Sequence, residues 1–296
     1  MVCYAVVLHT VARAGAQRNR GMLGPVATDL VRHLRDLAPV QLVYTDFDGT
    51  LLGPYGSLLI GPDGRPSARA ATALVAARTA GITVVPVSGR RQALLAGDAR
   101  LLGVRDYIAE AGTVVCRRGE VSFVWGDAPA DLAGTPREAV RDSGALAALL
   151  AAFPDDLRLY HPWDEGRVGE YLLHGLVDVA VADRVLAGAG APWARLVDNG
   201  AAHGCPGRSV RAYHLLPRGT GKAQAVTADL AARGVAPSAA LAVGDSLEDA
   251  TMALVVGTYV QVANGHAEVG GNAFRAPGAM GDGFADAIDA ALAARG

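Results

Sequence analysis

Short runs of apolar, β-branched residues alternate with Ala/Leu-rich helical segments in two blocks of the chain, residues 41–111 and 215–296. This alternation is typical of βαβ units, in which helices connect parallel strands. Each predicted strand is short and unbroken, as expected when both faces of a sheet are buried. The five predicted strands are 42–46, 82–87, 107–109, 241–243 and 259–262. We therefore predict the α/β class, with a Rossmann-like, doubly wound parallel sheet.

Residues 112–214 lack this alternation and are predicted to form an inserted α+β cap domain. Apolar runs at 114–116 and 121–125 flank a turn and indicate a β-hairpin. A capping box at Thr135 opens an Ala/Leu-rich helix that is predicted to end near Phe153. Three further strand-like runs follow, at 170–173, 195–197 and 209–215. The core is thus predicted to be two separated segments that flank the cap.

Two helices of the predicted core have clear ends. One runs from an N-cap at Ser67 to Gly81, and the other from near Thr220 to Gly234. Residues 1–40 form an N-terminal extension of unknown role. Apolar residues at helical spacing within it predict a helix that packs on the core, namely Val26, Leu30, Leu34 and Leu37.

Composition narrows the classes of partner and location. The chain has 296 residues, 51% of them hydrophobic, which is enough for two domains with buried cores. Its net charge is −2 and no block of five like charges occurs, so we expect neither a nucleic acid nor a membrane surface as partner. We expect a small metabolite instead, and the sequence does not indicate an oligomeric state. No secretion signal or transmembrane segment is predicted.

The cysteines favour a reduced compartment. They are odd in number, far apart and without zinc-type spacing, which argues against a disulfide framework or a structural zinc site. The three are Cys3, Cys116 and Cys205. We therefore predict a cytoplasmic protein.

Two carboxylates at spacing two, Asp46 and Asp48, close the apolar run that forms the first core strand. Ligands of open parallel sheets bind beyond the carboxyl ends of the strands, where these side chains would lie. One carboxylate there can attack phosphorus, while the second protonates the leaving oxygen and later activates water. The alternative interpretation is a plain turn, because Asp-Gly is a common loop start.

Two more segments of the core could hold a phosphate. Ser88 and the residues after it follow a strand and offer a hydroxyl and backbone N–H groups, although an ordinary helix N-cap would look the same. Lys222 begins a helix, where its charge can neutralise phosphate, although most lysines are solvated surface residues. A nucleotide-binding P-loop does not fit, since Leu216 and Ala223 replace the required glycine and Ser/Thr.

An acidic cluster follows the fourth core strand. Asp245, Glu248 and Asp249 come directly after Gly244. Hard oxygen ligands of this kind suit Mg²⁺, which binds one or two carboxylates together with water and phosphate. Acidic residues that complement the dipole of a helix N-terminus are the alternative interpretation.

Taken in chain order, these four segments resemble the four motifs of the haloacid dehalogenase-like superfamily. The first, which begins at Asp46, is similar to the motif of the superfamily's phosphatases, whose second aspartate the dehalogenases lack. Ser88 matches the second motif, Lys222 the third, and Gly244 with the acidic residues after it the fourth. The resemblance covers residues 41–296.

The resemblance implies Mg²⁺-dependent phosphoryl transfer through a phosphoryl-aspartate. The catalytic residues that it implies are Asp46, Asp48, Ser88 and Lys222. The implied metal ligands are Asp46, Asp48 through its backbone carbonyl, Asp245 and Asp249. The implied phosphate and substrate contacts are Gly49, Thr50, Ser88, Gly89, Arg90, Lys222 and Asn264.

The spacing of the motifs identifies the type of cap. Residues 49–87 are 39 positions and leave no room for a domain, whereas residues 89–221 are 133 positions. The chain therefore resembles the Cof-type branch with a type IIB cap, which includes sucrose-phosphate and mannosyl-phosphoglycerate phosphatases. It departs from that branch at Glu248 and Ala111, where asparagine is usual.

The predicted function is a phosphatase that hydrolyses a small phosphorylated metabolite, with a sugar phosphate favoured on family analogy alone. The alternatives are a phosphotransferase or phosphomutase with the same intermediate, and a receiver-like signalling module phosphorylated on aspartate. The cap is expected to select the substrate. Its candidate contact residues are Arg117, Arg118, His161, Trp163, Arg167 and His174.

Overall fold

The computed structural model describes residues 25–202, 210–266 and 268–296, with no side-chain description for residues 25–27. Its strands in chain order are β1 (Leu42–Thr45), β2 (Thr83–Pro86), β3 (Tyr107–Ala109), β4 (Val114–Arg117), β5 (Glu120–Phe123), β6 (Leu157–Leu159), β7 (Tyr171–Gly175), β8 (Ala194–Ala201), β9 (Arg211–Pro217), β10 (Ala240–Gly244), β11 (Thr258–Gln261) and β12 (Ala273–Arg275). Its helices are α1 (Pro25–Arg35), α2 (Arg69–Thr79), α3 (Gln92–Leu101), α4 (Pro136–Asp142), α5 (Ala145–Ala152), α6 (Val179–Gly188), α7 (Lys222–Arg233), α8 (Leu247–Ala250) and α9 (Met280–Ala294). None of the helices in these ranges is long and apolar enough to cross a bilayer.

A five-stranded parallel sheet in the order β12-β11-β10-β1-β2 forms the centre of the molecule. Alternate residues of its strands point to opposite faces, so that Val43 and Leu241 pack beneath α1, α2 and α9, while Tyr44 and Ala242 pack beneath α7. Because helices cover both faces, every residue of β1 is buried. The predicted α/β class and doubly wound parallel sheet are confirmed.

The membership of the parallel sheet differs from the prediction at one strand. β3 pairs antiparallel with β4, and on its other side an isolated parallel bridge joins Ile108 to Val87, the residue after β2. The chain turns straight from β3 into the β4–β5 hairpin, so β4 takes the hydrogen-bonding groups of this short strand. The fifth parallel strand is instead β12, whose three half-buried residues lie in a glycine-rich stretch without a strand pattern.

The predicted hairpin is β4–β5, and it packs on the parallel sheet. Val114 and Cys116 lie in the core beneath α2, and Val115 lies in the core beneath α7. Cys116 is a buried free thiol, whereas the other two cysteines lie outside the described residues. Arg118 and the glycine after it adopt positive φ at the turn, as a two-residue hairpin loop requires.

In addition to the parallel sheet and the three-stranded sheet β3-β4-β5, a four-stranded antiparallel sheet in the order β6-β7-β9-β8 forms a separate layer with α4, α5 and α6. Its own apolar core includes Leu149, Leu173 and Tyr213. The predicted capping box is present at Thr135, but the helix is broken at Gly144, which adopts φ +77° between α4 and α5. The division of the chain into core and cap at residues 112 and 214 stays a prediction.

Three predicted helices are present. α2 and α7 lie where expected, and Gly234 ends α7 in the left-handed conformation that favours glycine. The N-terminal extension contributes α1, which packs against α9. Leu30 and Leu34 of α1 are buried in the main core, as their spacing predicts.

Candidate active site

The carboxyl ends of β1 and β10 bring two of the predicted aspartates to one edge of the sheet. β1 and β10 are parallel neighbours, with Thr45 paired to Val243. Asp46 follows β1 directly, and its backbone N–H donates to the Val243 carbonyl at 2.9 Å. Asp245 follows β10 in the same way. The strand-end placement predicted for both carboxylates is therefore present.

Three carboxylates converge at this edge. Asp46, Asp245 and Asp249 each offer one oxygen, and these oxygens lie within 4.8 Å of one another. Asp46 and Asp249 are buried, whereas Asp245 is half-buried. Asp249 is fixed by the start of α8, because its Oδ2 accepts from the Ser246 hydroxyl at 2.7 Å and from the Ser246 N–H at 2.9 Å. Asp245 and Asp249 thus belong to a carboxylate cluster, and Asp249 also caps α8, whereas Glu248 is not a member of the cluster.

Lys222 supplies the positive charge within this cluster. It begins α7, is 4% exposed, and its Nζ donates to Asp46 Oδ1 at 2.7 Å and to Asp249 Oδ1 at 2.6 Å. Burial by itself lowers the pKa of an amine, but the charges of Asp249 and Asp46 outweigh it and raise the pKa of Lys222 well above its ordinary value. The alternative of a solvated surface lysine is wrong.

The sequence contains a further signal for this residue. Lys222 is the only lysine in the chain, and all the other basic residues that are not histidine are arginines. A compact ammonium with three donors fits between two carboxylates, whereas a planar guanidinium is larger and forms a fixed fork. The single lysine therefore stands where the geometry needs an ammonium.

The charges of the cluster do not balance, and this imbalance fits a divalent cation. When all three carboxylates are ionised they face one ammonium, an excess of two negative charges. Burial, and next to it the charge of Asp249, raise the pKa of Asp46 to about 8 although Lys222 opposes the shift. The donors are all carboxylate oxygens, which Mg²⁺ prefers. The residues present at this site therefore fit Mg²⁺.

A loop after β1 supports Asp245. The Thr50 hydroxyl, fully buried, donates to Asp245 Oδ1 at 2.9 Å. Gly49 adopts φ +83°, and a Cβ at this position would lie 2.9 Å from Asp245 Oδ2. The Asn264 side chain donates to the Gly49 carbonyl at 2.9 Å and accepts from the Met280 N–H at 2.7 Å. These contacts hold the loop, and the predicted contacts of Gly49, Thr50 and Asn264 with phosphate stay predictions.

Asp48 follows Asp46 by two positions, and its side chain pairs with an arginine outside the acidic cluster. Its carboxylate accepts from Arg90 through both oxygens, with Arg90 Nε to Oδ2 at 2.7 Å. Arg90 also pairs with Asp98 at 2.6 Å and lies over the Phe47 ring. The Asp48 side chain is 53% exposed and is not one of the clustered ligands. Its predicted ligation through the backbone carbonyl stays a prediction.

Ser88 follows β2 and is 3% exposed. Its N–H donates to the Ile108 carbonyl at 2.9 Å, and its hydroxyl accepts from the Arg90 N–H at 3.1 Å. α3 begins only at Gln92, so Ser88 is not the N-cap of that helix. The segment from Ser88 to Arg90 thus lies at the same sheet edge as Asp46, because Val87 donates to the Thr45 carbonyl at 2.8 Å.

A buried polar network beside Ser88 is not apparent from the sequence pattern. Arg167 Nη1 donates to the Gly89 carbonyl at 2.9 Å and forms an ion pair with Glu170. Glu170 also lies 2.7 Å from His214 Nδ1, and both side chains are buried. Glu110, fully buried, accepts from the Gln92, Val168 and Gly169 N–H groups at 2.7–2.9 Å. The network connects the four-stranded sheet to the segment after β2.

Only weak sequence signals indicate this network: a glutamate before β7 and a histidine inside the apolar run of β9. Of the six candidate contacts proposed for the cap, Arg167 reaches the segment after β2. His161 and Trp163 are exposed, and His174 stacks on Tyr160. Arg117 and Arg118 lie at the β4–β5 turn. They line a cavity that is also lined by Leu42, the residue at the amino end of β1.

The start of α7 is held by a close backbone approach that can be tested. Gly112 adopts φ +94°, and a Cβ there would lie 2.3 Å from the carbonyl oxygen of Gly221, the residue before Lys222. We expect Gly112→Ala to lower the free energy of unfolding by about 2–5 kcal/mol, since left-handed strain and overlap add. Urea denaturation measures this loss. Gly64, with φ +78° and nothing within 4 Å, is the matched control, and Gly64→Ala should cost only about 1–2 kcal/mol. Equal losses would contradict the proposed overlap.

Comparison with known proteins identifies the fold. No family model matches the chain, and no curated protein is significantly similar to it in sequence. Among solved structures, protein 0175 of Thermoplasma acidophilum has a TM-score of 0.63 at 18% identity, over 86% of this chain and 100% of that one. The sucrose-phosphatase of Synechocystis sp. PCC6803, solved with sucrose and phosphate, has a TM-score of 0.59 at 17% identity, over 84% and 97%.

A haloacid dehalogenase-like hydrolase from B. subtilis has a TM-score of 0.56 at 16% identity, over 84% of this chain and 99% of that one. The chain therefore has the fold of the haloacid dehalogenase-like hydrolases. The fold that the resemblance of the four sequence motifs implies is thereby confirmed. The match extends over nearly the whole length of these three proteins.

Proposed function

We propose that this protein is a Mg²⁺-dependent phosphatase that hydrolyses a small phosphorylated metabolite through a phosphoryl-aspartate at Asp46. The observation that supports this most is the contact between Lys222 and Asp46, which are 176 positions apart in the chain, in a cluster that also contains Asp249. Such a group can bind a phosphoryl group and stabilise the charge that develops on it.

The proposed reaction has two steps. An Asp46 carboxylate oxygen attacks phosphorus in line, and the bond from phosphorus to the substrate oxygen breaks. Asp48 donates a proton to the departing alcohol. It then takes a proton from water, which attacks the phosphoryl-aspartate and releases inorganic phosphate and Asp46. Asp48 lies two positions after Asp46 in the chain, and its half-exposed side chain leaves room for these transfers.

The remaining residues position the phosphoryl group. Lys222 and the Ser88 hydroxyl would hold its oxygens, with the N–H groups after Ser88 adding donors. Arg90 now pairs with Asp48, so the negative charge of an incoming phosphate would compete with Asp48 for this guanidinium. Asp46, Asp245 and Asp249 would hold Mg²⁺, which supplies neutralising charge when it is bound.

We propose that the layer containing β6 to β9 acts as a cap that selects the substrate. Its network from Glu170 through Arg167 contacts the Gly89 carbonyl, so a movement of this layer would be transmitted to the segment that holds phosphate. A sugar phosphate is the proposed substrate class, by analogy with the sucrose-phosphatase that shares the fold.

The test is a screen of about a hundred phosphorylated metabolites for release of inorganic phosphate, since core residues set the reaction and the cap sets the substrate. Release from a sugar phosphate without any acceptor would support the proposal. Release only in the presence of an acceptor alcohol would identify a phosphotransferase instead. A phosphoryl-aspartate that persists for many minutes would identify a signalling module.

Removal of the metal is expected to abolish activity and to lower stability. EDTA should stop phosphate release, and Mg²⁺ should raise the melting temperature of the wild type because it binds only the folded cluster. Differential scanning calorimetry at several Mg²⁺ concentrations measures the shift. Asp245→Asn should reduce the shift, whereas Asp29→Asn, on an exposed helix face, should leave it unchanged. A shift of the same size in Asp245→Asn would contradict the assigned ligand.

A further inference from the structure

A cleft lined by arginines lies at the end of the parallel sheet opposite to the acidic cluster. Its wall includes Leu42 and Thr83, the first residues of β1 and β2, whose carboxyl ends lead to Asp46 and Ser88. The cavity has a volume of about 670 Å³. Small-molecule sites commonly have volumes of about 300–1,000 Å³. The cleft is therefore large enough for a metabolite.

The lining of this cleft carries an excess of positive charge. Arg117, Arg118 and Arg233 line it, against Glu120 as the acidic residue of the lining. An adjoining cavity of about 370 Å³ shares Arg118 and adds two more arginines against one aspartate, namely Arg78, Arg105 and Asp106. The chain as a whole has a net charge of −2. When Asp229, which pairs with Arg117 and Arg233, is counted as well, the five arginines of the two cavities face three carboxylates, a local excess of two positive charges.

The arginines of the cleft differ in how far their charges are already paired. Arg233 is held by Asp229 and Asp106, each at 2.7 Å. The Nε of Arg117 is buried without a hydrogen-bond partner and lies 3.5 Å from a carboxylate oxygen of Asp229. Arg118 is exposed, and within the described ranges its guanidinium has no hydrogen bond or ion pair. Arg118 is therefore available to a ligand.

The backbone at the turn fixes the place of Arg118. Its N–H donates to Asp106 Oδ1 at 2.7 Å, and its φ is +53°, in the region that non-glycine residues rarely adopt. Asp106 is in turn paired with Arg233 at the end of α7. The turn and the helix end are thus tied together, so that the two arginines face one cavity on a rigid frame.

We propose that this cleft binds a small molecule that carries two or more negative charges on phosphate or carboxylate groups. A guanidinium presents a fixed fork of donors that matches the oxygens of both groups. The site is separate from the proposed catalytic centre, because α7 has Lys222 at one end and Arg233 at the other. A helix of 12 residues spans about 18 Å.

The experiment is a calorimetric titration of the full chain with pyrophosphate in EDTA, which removes the metal that phosphate binding at the acidic cluster would use. Arg118→Gln is expected to weaken pyrophosphate binding by about tenfold or more, because a charged donor is lost. Arg65→Gln is the matched control. Arg65 is an exposed arginine outside the cleft, and its loss should change the affinity less than twofold.

Several outcomes would overturn the proposal. They are unchanged affinity in Arg118→Gln, equal weakening in Arg118→Gln and Arg65→Gln, and loss of binding in Ser88→Ala alone. The same titration is made with citrate, which carries carboxylate groups. If neither pyrophosphate nor citrate binds, the proposal is overturned. Binding of pyrophosphate alone, or of both, would support it and would show whether the cleft accepts phosphate groups only or carboxylate groups as well. Phosphate release in the presence of Mg²⁺ should change less than twofold in Arg118→Gln, so this test is independent of the proposed phosphatase activity.

A second measurement uses the unsubstituted protein. Phenylglyoxal modifies accessible arginines, and mass spectrometry locates the modified peptide. Pyrophosphate is expected to protect Arg118 while leaving Arg65 reactive. Equal modification of Arg118 with and without pyrophosphate would overturn the proposal even if the Arg118→Gln protein did not fold.

Discussion

Asp46→Asn is expected to lower phosphate release by at least about 10³-fold, because an amide cannot attack phosphorus and form the phosphoryl intermediate. The loss should appear in kcat with Mg²⁺ saturating. Single-turnover assays with a sugar phosphate or a generic aryl phosphate measure it. Asp63→Asn, at an exposed turn, is the matched control and should keep full activity.

The same variant separates loss of chemistry from loss of the fold. Burial next to Asp249 raises the pKa of Asp46 to about 8, so the folded protein disfavours the charged form of this group. Because asparagine carries no charge, the metal-free variant at pH 7 should melt at the same temperature as the wild type or higher. An inactive but unfolded variant would leave the nucleophile unproven, and a folded variant with full activity would falsify its assignment.

Lys222→Met is expected to have the largest effect on stability. It removes the one ammonium that contacts both Asp46 and Asp249, and it leaves buried carboxylates without a counter-charge. Breaking a buried ion pair from one side costs about 3–5 kcal/mol. Urea denaturation in EDTA should show this loss, and phosphate release should fall to background.

A double substitution provides the control for Lys222→Met. Adding Asp249→Asn removes one of the stranded carboxylates, so the double variant should recover part of the lost free energy of unfolding in EDTA. Saturating Mg²⁺ should also narrow the gap between Lys222→Met and the wild type, since the cation restores positive charge. An unfolding free energy that does not change in Lys222→Met would show that the charges are not coupled.

The elements that carry the candidate chemistry could be predicted because their signals are local. An apolar run that ends in polar residues indicates a buried strand and its carboxyl end, which is how Asp46, Ser88 and Asp245 were assigned to one edge. Lys222 followed from the start of a helix with a clear C-terminal glycine. The structure brings these residues together, although their roles in catalysis stay proposals.

Features that depend on tertiary pairing could not be predicted in the same way. β3 has the composition of a parallel strand, but its partner is decided by the hairpin that follows it. Arg118 was assigned to the cap from chain position alone, whereas the hairpin folds back on the core sheet and places it at the opposite end. Glu170 and His214 are isolated polar residues in apolar segments. Only the contact between them in the folded chain shows that they belong to one buried network.

The burial of Lys222 also gives the molecule an unusual chemical simplicity. Since the chain has no other lysine, its side-chain amines amount to a single group that is 4% exposed. In a protein labelled with ¹⁵N-lysine, one Nζ resonance would report the charge and hydration of the cluster without assignment. Reagents that acylate surface amines should therefore leave Lys222 unmodified until the buried site opens.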